Sequence, residues 1–194
     1  MTSRKETALR LSILIFCVLG MSVVSANAQS QESGPAPDNA TAKYEIRFMT
    51  DMIDHHNMAV QMSMICLEKA IHPELETLCQ NIISSQQQEI VQMQTWLQEW
   101  YGISHSPEMN PGDVRMMEKL ATLPPAEFEI EFMEKMIKHH LAAIREASKC
   151  VDRVFHEELH DLCENIIVTQ AAEIEQMRTW LCQWYGVCKD RPAV

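Results

Sequence analysis

Phe48-Met49-Thr50-Asp51-Met52-Ile53-Asp54-His55-His56 returns further along the chain as Phe132-Met133-Glu134-Lys135-Met136-Ile137-Lys138-His139-His140. The offset is 84 residues, and it holds without a gap from Glu45/Glu129 to Gly102/Gly186, with about half of the paired positions identical. Cys66/Cys150, His72/His156, Gln86/Gln170, Glu89/Glu173, Met93/Met177 and Trp96/Trp180 are among the unchanged pairs. Self-similarity of this kind marks a supersecondary unit used more than once. The fold is therefore read as one unit placed twice.

Within the first copy, apolar or mid-sized residues fall at 49, 52/53, 56, 60, 63, 67 and 70/71. That is the i, i+3, i+4, i+7 spacing of an amphipathic helix. A second stripe runs through Leu75, Leu78, Ile82, Gln86, Glu89/Ile90, Met93, Leu97 and Trp100. Between the stripes His72-Pro73 breaks the helix, because proline suits a first helical turn and disfavours helix in the residue before it. Gly102 stands where a C-cap belongs. The second copy breaks near Phe155-His156 and stops at Gly186. Between residues 43 and 188 the only glycines are Gly102, Gly112 and Gly186, which favours long helices over many turns. The expectation is an all-α fold, an up-down-up-down four-helix bundle made of two tandem helical-hairpin repeats. Its helices should run roughly 25–30 residues, about 40 Å each.

At the N-terminus Arg4, Lys5 and Arg10 precede an apolar run from Leu11 to Val24, followed by Ala26-Asn27-Ala28. These are the parts of a cleaved secretory signal over 1–28, with no membrane anchor left after cleavage. Residues 29–42 read as a disordered polar leader. One domain follows over 43–188: repeat one at 45–102, a linker at 103–124 with a short helix over Val114–Leu120, and repeat two at 125–186. The chain carries −11, and loss of the signal would take it to −13. Nucleic acid is not an expected partner of so acidic a chain, because neutralising phosphates requires clustered Lys and Arg.

If the first hairpin reverses at 72–73, Cys66 and Cys79 lie level across it, as do Cys150 and Cys163 across the second. With Cys182 and Cys188 as a third pair, these read as disulfide staples in an exported chain. Thiolate metal ligation is the rival account. The same geometry sets His56 level with Glu89 and Met52 with Met93, and likewise His140 with Glu173 and Met136 with Met177. Gln86 and Gln170 stand one turn away on the inward stripe. A repeat axis along the bundle would bring both layers to one height.

Burying such groups costs several kcal/mol unless they are bonded or hold a metal. A hydrogen-bonded His–Glu–Gln network that fixes register is one account, and a metal site is the other. Thioethers select soft ions such as Cu(I), and imidazole suits copper and zinc. Methionine is also a flexible core filler. His55, Met58 and Met62, spaced i, i+3, i+7, outline a further peripheral soft-metal site.

The combined pattern F-M-x-x-M-I-x-H-H, then A-[VI], then N-I-I-x-x-Q-x-x-E-I-x-Q-M-x-x-W-L, resembles the 305th family of domains of unknown function. The linker piece Met117-x-x-Leu120-x-x-Leu123 ahead of Glu127-Phe128 does so too, and the likeness covers about residues 44–186. The family is similar to ferritin-like four-helix bundles and includes periplasmic copper-binding proteins with Met and His ligands. Carried over by motif position, the resemblance implies Met49, Met52, His55, His56 and Met93, with Met133, Met136, His139, His140 and Met177. Glu89 and Glu173 join them from the level pairs. The six paired cysteines are not part of that family pattern.

The expected function is an exported copper-binding protein, periplasmic or secreted, that sequesters copper or passes it on. Its cargo would be Cu(I) or Cu(II), with Ag(I) and Zn as alternatives and a copper-delivery protein as candidate partner. No enzyme activity is expected. A ferritin-like di-metal oxidase is the competing reading, but such sites carry Glu-x-x-His motifs and four or more carboxylates. A metal-free stapled interaction module is the third. Met-bound Cu(I) should persist in mild acid, whereas His-bound Cu(II) should weaken near the ordinary imidazole pKa of about 6.5.

Overall fold

A computed structural model describes residues 34–188. The signal segment expected over 1–28 and the leader residues 29–33 lie outside the described residues. The described chain is all-helical: α1 (Asn39–Lys69), α2 (Pro73–Tyr101), α3 (Pro111–Thr122), α4 (Pro125–Val151) and α5 (Glu157–Tyr185), with no strand. The four long helices have 31, 29, 27 and 29 residues, the lengths the stripes required.

Local chemistry sets their ends. The Asp38 carboxylate accepts from the Ala40 and Thr41 N–H groups and so caps α1. Helix therefore begins inside the stretch expected to be disordered through residue 42. Ala36, before the cap, is already buried. Proline at the first position opens α2, α3 and α4, where its missing N–H is not needed. Gly102 and Gly186 close α2 and α5 at φ 65° and 67°, the left-handed turn that glycine adopts without steric cost. The linker helix is longer than the expected Val114–Leu120, because Asn110 caps it through the Gly112 and Asp113 N–H groups.

α1 pairs with α2 and α4 with α5, while α1 lies against α4 and α3 touches both α1 and α4. Cys66–Cys79 and Cys150–Cys163 are joined across the two hairpins, with Cα atoms 6.3 and 6.2 Å apart, and Cys182–Cys188 is joined beyond α5. The up-down-up-down order is not what forms. Arg153 lies over Tyr44, His139 over His55 and Lys69 over Phe128, so α4 runs antiparallel to α1. The order is up, down, down, up. The reason is the linker: residues 102–124 carry the chain from the end where α2 stops back to the end where α1 and α2 join. Consequently the axis relating the copies crosses the helices at His55/His139 rather than running along the bundle.

Two apolar clusters fill the interior. One takes Phe48, Met49, Met52 and Ile53 of α1 with Met93 and Trp96 of α2, Ala143 of α4 and Leu162 of α5. The other takes Met62 and Cys66 of α1 with Phe128, Phe132 and Met136 of α4, Met177 of α5, and Met117 and Leu120 of α3. Along α4 the histidine pair stands between the residues of one cluster and those of the other, and along α1 it does so except for Val60, which joins Phe48, Met49, Met52 and Ile53.

Candidate metal centre

His56 and His140 are fully buried, His139 is 8% exposed and His55 is half-buried. The rings of His55 and His139 stack with centroids 3.6 Å apart and planes 29° from parallel. Stacking of two like groups is tolerable only while both are neutral. Burial, then the neighbouring His56 and His140, push the His55 imidazole down to about 3. Burial, then His55, His140 and His56, hold His139 well below its usual range. Both rings therefore keep their lone pairs at neutral pH.

The level pairs expected from the sequence form in both copies. His56 Nε2 donates to Glu89 at 2.6 Å and His140 Nε2 donates to Glu173 at 2.6 Å. With the proton on Nε2, each Nδ1 is left as a bare lone pair. A carboxylate that fixes tautomer and ring in this way is the usual outer partner of a metal-bound histidine. The geometry thus bonds Glu89 and Glu173 directly to the buried histidines.

His55 Nδ1, His56 Nδ1, His140 Nδ1 and both ring nitrogens of His139 are buried without a protein hydrogen-bond partner, as are Gln86 Oε1, Gln170 Oε1 and Ser63 Oγ. An unpaired buried polar atom costs about 1–3 kcal/mol, so the hydrogen-bond network accounts for only part of this layer. Orphaned, neutral imidazole nitrogens fit a borderline or soft transition-metal ion.

The six methionines divide. Met49, Met52 and Met93 belong to one cluster and Met133, Met136 and Met177 to the other, all 3% exposed or less. They flank the histidine layer from opposite sides. Of the peripheral trio His55, Met58 and Met62, Met62 is fully buried in the cluster beneath α3, while Met58 is partly buried against that cluster. Among the described residues, the one place where three His, Cys, Asp or Glu ligand atoms converge is the surface trio His160, Asp161 and Glu164 on α5.

The sequence reading missed a second pair of buried constellations. Glu129 of repeat two accepts from the Ile71 and His72 N–H groups, from His72 Nδ1 and from the Tyr185 hydroxyl. Glu45 of repeat one takes the same bonds from Phe155, His156 and Tyr101. Burial raises the Glu129 carboxyl, but the bonds from Tyr185, His72 and Ile71 together hold it below its ordinary value. Each glutamate thereby satisfies the chain reversal of the other hairpin. Stacked rings cover both ends, Trp100 on His156 at 3.7 Å and Trp184 on His72 at 3.9 Å. The signal was present, since Glu45/Glu129, His72/His156 and Tyr101/Tyr185 are all unchanged between copies.

Hairpins and histidine layer together define an all-helical protein with a buried imidazole core. The chain belongs to the family described as "Domain of unknown function (DUF305)", which matches residues 45–181. Among solved structures it is similar to CopM, seen in Cu(I)-, Cu(II)- and Ag-bound forms. The Cu(I)-bound form is 37% identical with a TM-score of 0.66, over 73% of this chain and 98% of that one. A DUF305 fragment from Deinococcus radiodurans is 28% identical with a TM-score of 0.64, over 76% of this chain and 97% of that one. No curated protein sequence matches it. No helix among the described residues is long and apolar enough to cross a membrane.

Proposed function

We propose that the protein is an exported, periplasmic or secreted copper-binding protein that sequesters copper or hands it on, and that it performs no turnover. Its frame is a four-helix bundle of two tandem hairpin repeats with one long crossover, the connection that ferritin-like bundles use. The observation that carries the reading is the set of five orphaned imidazole nitrogens on His55, His56, His139 and His140. His56 and His140 offer Nδ1, aligned by Glu89 and Glu173, and His55 and His139 offer neutral rings. The buried thioethers on either side suit Cu(I), while imidazole serves either oxidation state. CopM, the relative seen with Cu(I), Cu(II) and Ag, supports copper over zinc. Against an oxidase, the layer holds two carboxylates, each already bonded to its own hairpin's histidine.

The test is elemental analysis of protein purified from an exporting host, followed by titration with Cu(I) and Cu(II). Copper should co-purify, and His56→Ala with His140→Ala should lower affinity for both ions at least tenfold. A folded double variant with unchanged affinity for both ions overturns the reading.

A further inference from the structure

The crossing axis makes the two sides of the α1/α4 seam equivalent, yet the chain treats them differently. On the side of His139, α3 lies over the seam, with Met117 and Leu120 packed among Met62, Phe128 and Met136. On the side of His55 no helix among the described residues lies there. The groove stays open, with a volume of about 330 Å³, and Phe48, Met52 and His55 line it. That size is in the range of small-molecule sites, roughly 300–1,000 Å³.

The rims differ as well. Met62 and Ile65 on the covered side correspond to Glu146 and Lys149 on the open side. Arg47, Arg145, Lys149 and Arg153 stand around the open groove against Asp51 and Glu146, a net of +2 on a chain whose charge is −11. Both carboxylates are engaged within the rim, Asp51 by Arg47 at 3.4 Å and Glu146 by Lys149 at 2.8 Å and Arg145 at 3.9 Å. A cationic rim repels a bare metal cation and attracts an anion.

Resting on the copper reading above, we infer that this groove is the single loading port of the histidine layer, and that it takes copper as a small anionic complex which delivers the metal to His55. The imidazole lone pair of His55 replaces one donor of the carrier, and the carrier's remaining donors give way to the neighbouring imidazoles, all at an unchanged copper oxidation state. The freed carrier leaves as an anion, its charge balanced meanwhile by the net +2 of the rim. His139, under α3, receives metal only through His55.

Two Cu(I) sources of opposite charge test this: the bis-bicinchoninate complex, a trianion, and the tetrakis-acetonitrile complex, a cation. Stopped-flow transfer from the trianion should slow about tenfold in Arg145→Glu with Lys149→Glu, and in the parent chain it should slow with added salt. Transfer from the cation should not slow, and the final copper content should be unchanged. In the metal-free protein, hydrogen exchange at the ring carbon, read by mass spectrometry, should be faster for His55 than for His139. Substitution of Leu120→Ala in α3 should narrow that gap. Normal copper content with an unslowed trianion, equal slowing of both sources, or equal exchange at His55 and His139 would each overturn the port while leaving the copper reading intact. No copper uptake from either source would overturn both.

Discussion

The carboxylate of Glu45 receives the ring Nδ1–H of His156 at 2.6 Å, across 111 residues of chain. Its counterpart is Glu129 with His72 Nδ1, also at 2.6 Å. Each hairpin thus depends on a glutamate of the other for the N–H groups at its reversal. Removing one partner of a buried, hydrogen-bonded charge typically costs about 3–5 kcal/mol. Glu45→Ala and Glu129→Ala should each destabilise by about that much in urea unfolding, and by similar amounts, because the constellations repeat. A loss under about 1 kcal/mol would show that these glutamates do not hold the hairpins together.

Metal-free protein should lose stability on acidification earlier than its carboxylates alone would dictate. His55 and His139 have folded values below the unfolded 6.5, with His55 at about 3. Between those values the unfolded state binds more protons, so stability is fully present above pH 6.5 and falls as pH drops towards 3. Urea midpoints of the metal-free chain should therefore decline between pH 7.5 and 5, and less steeply in His55→Gln with His139→Gln. The same depression bears on Cu(II) binding, which was expected to weaken near pH 6.5. These two rings should hold it to lower pH, which a Cu(II) titration at pH 5.5 checks.

Both hairpin disulfides should be found by peptide mapping of non-reduced protein, as Cys66–Cys79 and Cys150–Cys163. Each closes a loop of about 14 residues, for which chain entropy suggests about 3 kcal/mol. Cys66→Ser with Cys79→Ser should lose about that much stability. Four free thiols at these positions would refute the stapled hairpins.

Methionines on the two sides of the histidine layer can be separated from filler by a volume-conserving change. Met49→Leu with Met52→Leu should cost under about 1.5 kcal/mol per site. If the thioethers bind Cu(I), affinity for that ion should fall while Cu(II) affinity stays. An unchanged Cu(I) affinity would assign Met49 and Met52 to packing alone.

Much of this protein was legible in one dimension, because its decisive interactions are periodic or lie within a hairpin. The 84-residue offset and the 3.6-residue stripes determined the helices. Antiparallel pairing about a known break then determined Cys66–Cys79, Cys150–Cys163, His56–Glu89 and His140–Glu173. None of these needs knowledge of how one hairpin meets the other. The direction of α4 against α1, the stacking of His55 on His139 and the exchanged glutamates Glu45 and Glu129 all do. They depend on where residues 102–124 lead the chain, and a linker's sequence sets its length but not its path. The inequality of the two seam faces is likewise a tertiary outcome: α3 covers one copy of the groove and leaves the other open, although the histidines beneath are identical in sequence.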